Sequence, residues 1–236
     1  MCGRFSMAID AEQLALDFRI SHVPENWKKR YNVTPSQWIA TVPFIDKPEI
    51  VFMRWGLVPF WAKDPAIGNQ LINARAETVA EKSSFKASFK NKRCLILANG
   101  FYEWKKEPGS KRSIPYYFSL KSGDAFAFAG LWDDWEATAL VSEPGLPGVT
   151  SCTIITTEAN ALVRPVHSRM PVVLTKDVMW NWLKSGSEAE KLAMLQPLDP
   201  DLMIAWQVGH DVNNPVIDNE SLIKPRENNF KQRKLL

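Results

Sequence analysis

Every apolar stretch of this chain is short, and that limits what it can fold into more than any other feature. Residues 37–44, 49–55, 93–98, 101–105, 114–120, 125–132, 152–156 and 202–208 have strand length and are separated by turn-forming residues. Residues 10–18, 74–80, 83–89, 176–184 and 187–195 read as short helices, the first with Asp10 as N-cap and Leu14, Leu16 and Phe18 as its apolar contacts. No β-α-β unit with a Gly-rich turn recurs, which argues against a doubly wound nucleotide-binding fold. Short strands in series with scattered helices predict an α+β fold, a mostly antiparallel sheet curled toward a barrel with short peripheral helices. Asn99-Gly100 reads as a turn returning 93–98 into 101–105, residues 107–113 as a hairpin tip and 133–150 as a long loop. Residues 1–223 read as one domain and 224–236, charged and Asn-rich, as a flexible tail.

Composition narrows the function classes. With 45% hydrophobic and 23% charged residues and a net charge of +3, the chain allows a local nucleic-acid patch without being a polycation. The start, Cys-Gly-Arg, is not a leader, and no apolar run approaches membrane-span length, so a cytoplasmic protein with no membrane contact is expected. Most of the ten tryptophans are expected in the core, a few as stacking platforms for bases. The three cysteines, Cys2, Cys94 and Cys152, form no disulfide framework, and no CxxC or HxxxH spacing suggests a metal. Cys94 and Cys152 read as structural.

The chemistry lies where polar residues interrupt apolar runs. Met1-Cys2-Gly3-Arg4-Phe5 is the first such place. An initiator methionine is normally trimmed before a small residue, which would leave amine and thiol together on Cys2. Both groups titrate near neutrality, at about 8 and about 8.5, and together they can close a ring on one aldehyde. The plain alternative is a small buried apolar residue. Arg4 favours thiolate and can hold a phosphate. In Leu71 to Thr78, Asn73 is either a helix N-cap or an amide placed on a substrate oxygen, and Arg75 either a solvated charge or a phosphate clamp. Glu103, between Tyr102 and Trp104, is either an exposed strand glutamate or a desolvated carboxyl raised toward the acid/base range. Phe101, Glu103 and Lys105 should share one face of the strand, Tyr102 and Trp104 the other. His167, between Pro165 and Pro171, lies in a loop entering a strand, either catalytic or structural. His22 and His210 lack such a context and read as structural or surface residues.

Taken in order, these segments resemble the SRAP family, named for SOS-response-associated peptidase. The resemblance rests on Cys2-Gly3-Arg4-Phe5, Tyr31-Asn32-Val33-Thr34-Pro35, Arg54-Trp55-Gly56-Leu57-Val58-Pro59 and Asn73-Ala74-Arg75-Ala76-Glu77-Thr78. It continues through Arg93-Cys94-Leu95-Ile96, Gly100-Phe101-Tyr102-Glu103-Trp104 and His167-Ser168-Arg169-Met170-Pro171, covering Cys2 to about residue 220. Asn99 stands where an acidic residue is common, and 133–150 is longer than in compact members.

The resemblance implies a monomeric sensor of abasic sites in single-stranded DNA that bonds to them as a thiazolidine through Cys2, with lyase side activity. It implies that Asn73 holds the sugar or adduct, Glu103 moves protons and His167 assists ring opening. Arg4 and Arg75 would hold phosphates, Trp55, Phe60 and Trp61 would lie in an aromatic DNA-facing segment, and Thr156 would touch DNA. Neither cofactor nor metal is needed. The protein would be cytoplasmic and associated with the nucleoid when bound to DNA. Two other functions use the same residues: an N-terminal-nucleophile hydrolase or autopeptidase with Cys2 attacking an acyl carbon, and a non-catalytic single-stranded DNA binder.

Overall fold

The computed structural model describes residues 2–43, 46–107, 109, 112–136, 148–184 and 186–226. The strands, in chain order, are β1 (Phe5–Met7), β2 (Arg30–Val33), β3 (Trp38–Val42), β4 (Val51–Trp55), β5 (Asn73–Arg75), β6 (Arg93–Ala98), β7 (Gly100–Lys106), β8 (Ser113–Leu120), β9 (Phe126–Trp135), β10 (Val149–Glu158), β11 (Arg169–Pro171), β12 (Val173–Leu174) and β13 (Met203–Gln207). Among the described residues four short helices flank them: α1 (Ala11–Asp17), α2 (Lys86–Asn91), α3 (Met179–Lys184) and α4 (Glu188–Ala193).

The strands make two sheets. In the larger, β10, β4, β3, β6 and β9 pair in succession and β9 pairs back onto β10, closing a ring. The second sheet has the order β13-β8-β7-β1-β2 and is antiparallel throughout. Phe5 of β1 joins the two. Its ring meets Trp55 at 5.2 Å and Phe128 at 5.5 Å, both edge-on. The expected α+β architecture, mostly antiparallel and barrel-like with short helices, is therefore what the chain adopts.

Several local expectations fail, each for a tertiary reason. Asn99-Gly100 is not a hairpin turn: β6 stays in the barrel while β7 enters the second sheet. Glycine is needed at 100 because a Cβ there would lie 2.1 Å from the Tyr117 ring. Residues 74–80 are not a helix. The edge of β10 beyond Cys152 is free once β4 ends at Trp55, and β5 takes it in parallel, with Ile154 opposite Asn73; only Ala76–Thr78 then turn as 3-10 helix. β8 and β9 belong to different sheets, whereas β7 and β8 form the expected hairpin. The loop expected at 133–150 is shorter, because β9 runs to Trp135 and β10 begins at Val149; residues 137–147 lie outside the described residues. Leu14 of α1 and Phe18 just past it are buried but Leu16 is 71% exposed; Asp10 is the N-cap residue as expected, with its side chain paired to Lys29 and making no capping hydrogen bond. Of the expected tail, Arg226 still donates its amide to Gln207, and 227–236 lie outside the described residues. No helix among the described residues is long and apolar enough to cross a membrane.

Candidate active site

Cys2 enters the second sheet beside β7. The Tyr102 amide donates to the Arg4 carbonyl at 3.0 Å, so the segment before β1 runs alongside the Tyr102–Glu103 stretch. Cys2 is fully buried within the main core, not exposed as a free aminothiol would be. Its thiol lies 3.9 Å from the Arg4 carbonyl. Burial, and secondly the charge of Glu103, push the thiol far above its ordinary range.

Among the described residues Asn73 bonds to this residue and Glu103 acts on it through its charge. Asn73, half-buried on β5, donates through Nδ2 to the Cys2 carbonyl at 2.9 Å. Its Oδ1 is buried with no hydrogen-bond partner among the described residues. Glu103 on β7 is only 3% exposed, so it is not a solvated strand glutamate. Desolvation raises its carboxyl to about 7, opposed by the positive amino terminus of the chain and by the Trp104 amide. The alternation of β7 explains the burial. Phe101 stacks on Phe118 at 5.0 Å in the main core, whereas Tyr102 packs on Tyr117 in a separate cluster and donates to the Tyr31 carbonyl at 2.7 Å. Glu103 shares the Phe101 face.

His167 sits half-buried in the loop between β10 and β11. Its Nδ1 lies 3.0 Å from the Arg169 amide and 3.1 Å from the Arg169 carbonyl, and the tautomer of the ring decides which of the two it bonds. Desolvation first, and the amino-terminal charge second, hold its pKa below the usual histidine value. The amino terminus thus acts on both Glu103 and His167. Arg169 itself forms a two-point ion pair with Glu77, at 2.6 and 3.0 Å, and donates to the Thr156 carbonyl at 2.6 Å. The pair ties the His167 loop to the segment that follows Asn73, and it lowers the Glu77 pKa.

The residues expected to face DNA divide into two groups. Arg75 is exposed, and Phe60 and Trp61 are 59% and 45% exposed. Trp55 is fully buried: its Nε1 donates to the Ile72 carbonyl at 2.9 Å and its ring packs on Phe5, so it is a core residue and not a base platform. Thr156 is fully buried between β5 and β11, with its hydroxyl directed at the Ala74 carbonyl at 3.4 Å, so it offers no surface to a strand. Arg4 is half-buried. Its Nη1 donates to Asn32 Oδ1 at 2.8 Å and to the Val212 carbonyl, and its guanidinium lies 5.8 Å from the Trp104 ring centre. The Asn32 carboxamide completes this clasp by donating to the Ile217 carbonyl at 2.6 Å. His22 and His210 are exposed and stand apart from these groups.

Sequence reading did not foresee Arg169, Asn32 or Asp133 as supporting residues. The first two lie inside segments already singled out, but their partners are distant in sequence. Among the described residues no group of three His, Cys, Asp or Glu comes together as a metal would require.

A family model described as SOS response associated peptidase (SRAP) matches residues 1–215. Abasic site processing protein YoqW of Bacillus subtilis (strain 168) is 43% identical over 230 residues, spanning 95% of this chain and 99% of that protein. Abasic site processing protein HMCES of Mus musculus is 35% identical over 181 residues, spanning 64% of this chain and 50% of the mouse protein. A crystal structure of a protein from Bacteroides thetaiotaomicron superposes with a TM-score of 0.81 at 26% identity, covering 95% of this chain and all of that one.

Proposed function

The chain belongs to the SOS response associated peptidase (SRAP) family, and from that premise we propose that it captures abasic sites in single-stranded DNA as a thiazolidine on Cys2. The observation that carries the reading is the Asn73 amide on the Cys2 carbonyl, 2.9 Å away, beside a carboxyl whose pKa is raised to about 7. The relatives named above are abasic site processing proteins.

The chemistry requires Met1 to be removed, which makes the Cys2 nitrogen the terminal amine. An abasic sugar is mostly a closed hemiacetal. Its opening moves a proton from the hemiacetal hydroxyl to the ring oxygen, and a neutral His167 near physiological pH suits that transfer. The amine then adds to the aldehyde carbon. Protonated Glu103 gives its proton to the departing hydroxyl, water leaves, and a C=N bond remains. The thiol is held neutral by burial, so it needs a base. The C=N bond is left as an iminium that keeps the amine's N–H; ionised Glu103 takes and keeps the thiol proton, returning to its starting state, as the S–C bond closes the ring and the C=N electron pair neutralises the nitrogen. The second step is intramolecular and gains the corresponding effective concentration. While the C=N bond persists, the neighbouring carbon is acidified, and elimination of the 3′ phosphate is the natural side reaction.

Asn73 Oδ1 supplies an acceptor for a sugar hydroxyl or for the terminal N–H. Arg75, Phe60 and Trp61 form the DNA-facing group, the arginine on phosphate and the rings on unpaired bases. A plain binder leaves Asn73 and Glu103 without a role. Incubation with single-stranded abasic DNA tests the reading: a heat-stable slow band on a denaturing gel is expected, and its persistence at equal yield in Cys2→Ala would refute the thiazolidine.

A further inference from the structure

The exposed aromatics Phe60 and Trp61 do not sit on a loose loop. Val58, Ala62 and Trp135 form a small apolar cluster apart from the main core. Three polar tethers from the barrel wall hold the same stretch. The Val58 amide donates to Ser151 Oγ at 2.7 Å, the Phe60 amide to Asp133 Oδ2 at 2.9 Å, and Trp135 Nε1 to the Ala62 carbonyl at 2.8 Å. Ser151 and Asp133 are register partners across β10 and β9, so two tethers rise from one rung of the barrel.

Asp133 is the unusual member. Its side chain is 4% exposed, and a carboxylate so buried requires a counter-charge. Lys92, just after α2, provides it at 2.8 Å to Oδ1, with its ammonium 5.0 Å from the centre of the Trp132 ring. The remaining carboxylate oxygen is thereby aimed at the Phe60 amide. A hydroxyl or amide could accept that bond without a buried charge, so the ion pair serves something other than stability alone.

We propose that Asp133, fixed by Lys92, is a positioning residue that presents Phe60 and Trp61 to the bases flanking an abasic site. The inference rests on the single-stranded DNA reading above. Rings fixed before binding cost less ordering when a strand docks, so the pair acts on DNA affinity and not on the bond-forming steps at Cys2.

The test compares wild type, Asp133→Ala and the charge-neutral double variant Lys92→Met/Asp133→Leu, which avoids stranding the lysine. Three readouts are taken: hydrogen exchange at the Phe60 amide, the half-saturating concentration and limiting rate of cross-linking to a single-stranded abasic oligonucleotide, and the reaction of Cys2 with free 2-deoxyribose by intact mass. Both variants should exchange the Phe60 amide faster and raise half-saturation about tenfold, a loss equivalent to one stacked base. Limiting rate and sugar reaction should match wild type. Faster exchange with unchanged half-saturation overturns the proposal and leaves the DNA reading standing. So does a parallel fall in limiting rate and sugar reaction, which would mark general loosening. A wild-type protein that cross-links nothing overturns the DNA reading and the proposal with it.

Discussion

The side-chain amide of Asn73 donates to the backbone carbonyl of Cys2 across 2.9 Å, while the other end of the same carboxamide, Oδ1, is buried without a partner among the described residues. One end fixes the nucleophilic residue and the other waits for a donor. A buried acceptor without a donor costs about 1–3 kcal/mol, so a substrate that supplies one recovers that free energy on binding. Asn73→Ala should slow cross-linking roughly tenfold to a hundredfold, and Asn73→Asp, which keeps the acceptor but loses the donor, should fall between. Single-turnover gels measure this; wild-type rates in both variants contradict the assignment.

Glu103 provides a pH test whose sign is fixed. Its folded carboxyl titrates at about 7 against 4.5 for a free one, so the folded chain holds the proton more tightly than the unfolded chain. The associated stability is complete below pH 4.5 and is lost as pH rises through 7. Glu103→Gln removes this dependence. Between pH 4.5 and 8 wild type should lose on the order of 3 kcal/mol relative to Glu103→Gln, visible as diverging melting temperatures. A difference that stays constant with pH contradicts the buried-carboxyl account.

His167 is assigned to ring opening, a step that an open-chain aldehyde does not need. His167→Ala should slow reaction with abasic DNA about a hundredfold and leave the reaction of Cys2 with a simple aldehyde at the wild-type rate. Equal slowing of both substrates, measured by intact mass against time, would place the histidine in a later step.

The two arginines should separate. Arg4 is engaged with Asn32 and the Val212 carbonyl, whereas Arg75 is exposed. Arg75→Ala should reduce the slope of log binding constant against log salt by about 0.7, the single-strand value for one phosphate, with little change in melting temperature. Arg4→Ala should lower the melting temperature and change the slope less. The reverse pattern would restore Arg4 as the phosphate contact.

Particular residues show what the sequence could and could not convey. Strand periodicity and the lack of β-α-β units were enough for the fold class, because alternation and turn chemistry are local. Residues 74–80 read as a helix, with Asn73 ahead of it, because Ala-Arg-Ala-Glu favours helix locally, and only the free edge of β10 makes Asn73–Arg75 a strand. Asn99-Gly100 carries a hairpin signal, but the glycine answers to the approach of Tyr117. Trp55 and Thr156 illustrate a different limit: a family-like position does not tell whether a side chain faces solvent, and here both are buried. The Glu77–Arg169 pair spans 92 residues and the Phe60–Asp133 bond 73, separations at which single-sequence patterns carry no information. Cys2, Asn73, Glu103 and His167 stood out as polar residues in apolar surroundings, and the structure brings the first three together at one place.

The central claim is a covalent bond between an abasic sugar and a terminal Cys2. Intact-mass measurement of purified protein, before and after reaction with a single-stranded abasic oligonucleotide, tests it most directly. The account predicts one adduct whose mass equals the chain without its initiator methionine plus the oligonucleotide, less one water, with the linkage mapped to Cys2. An adduct on a chain that keeps Met1, or an equally stable adduct in Cys2→Ala, would contradict it.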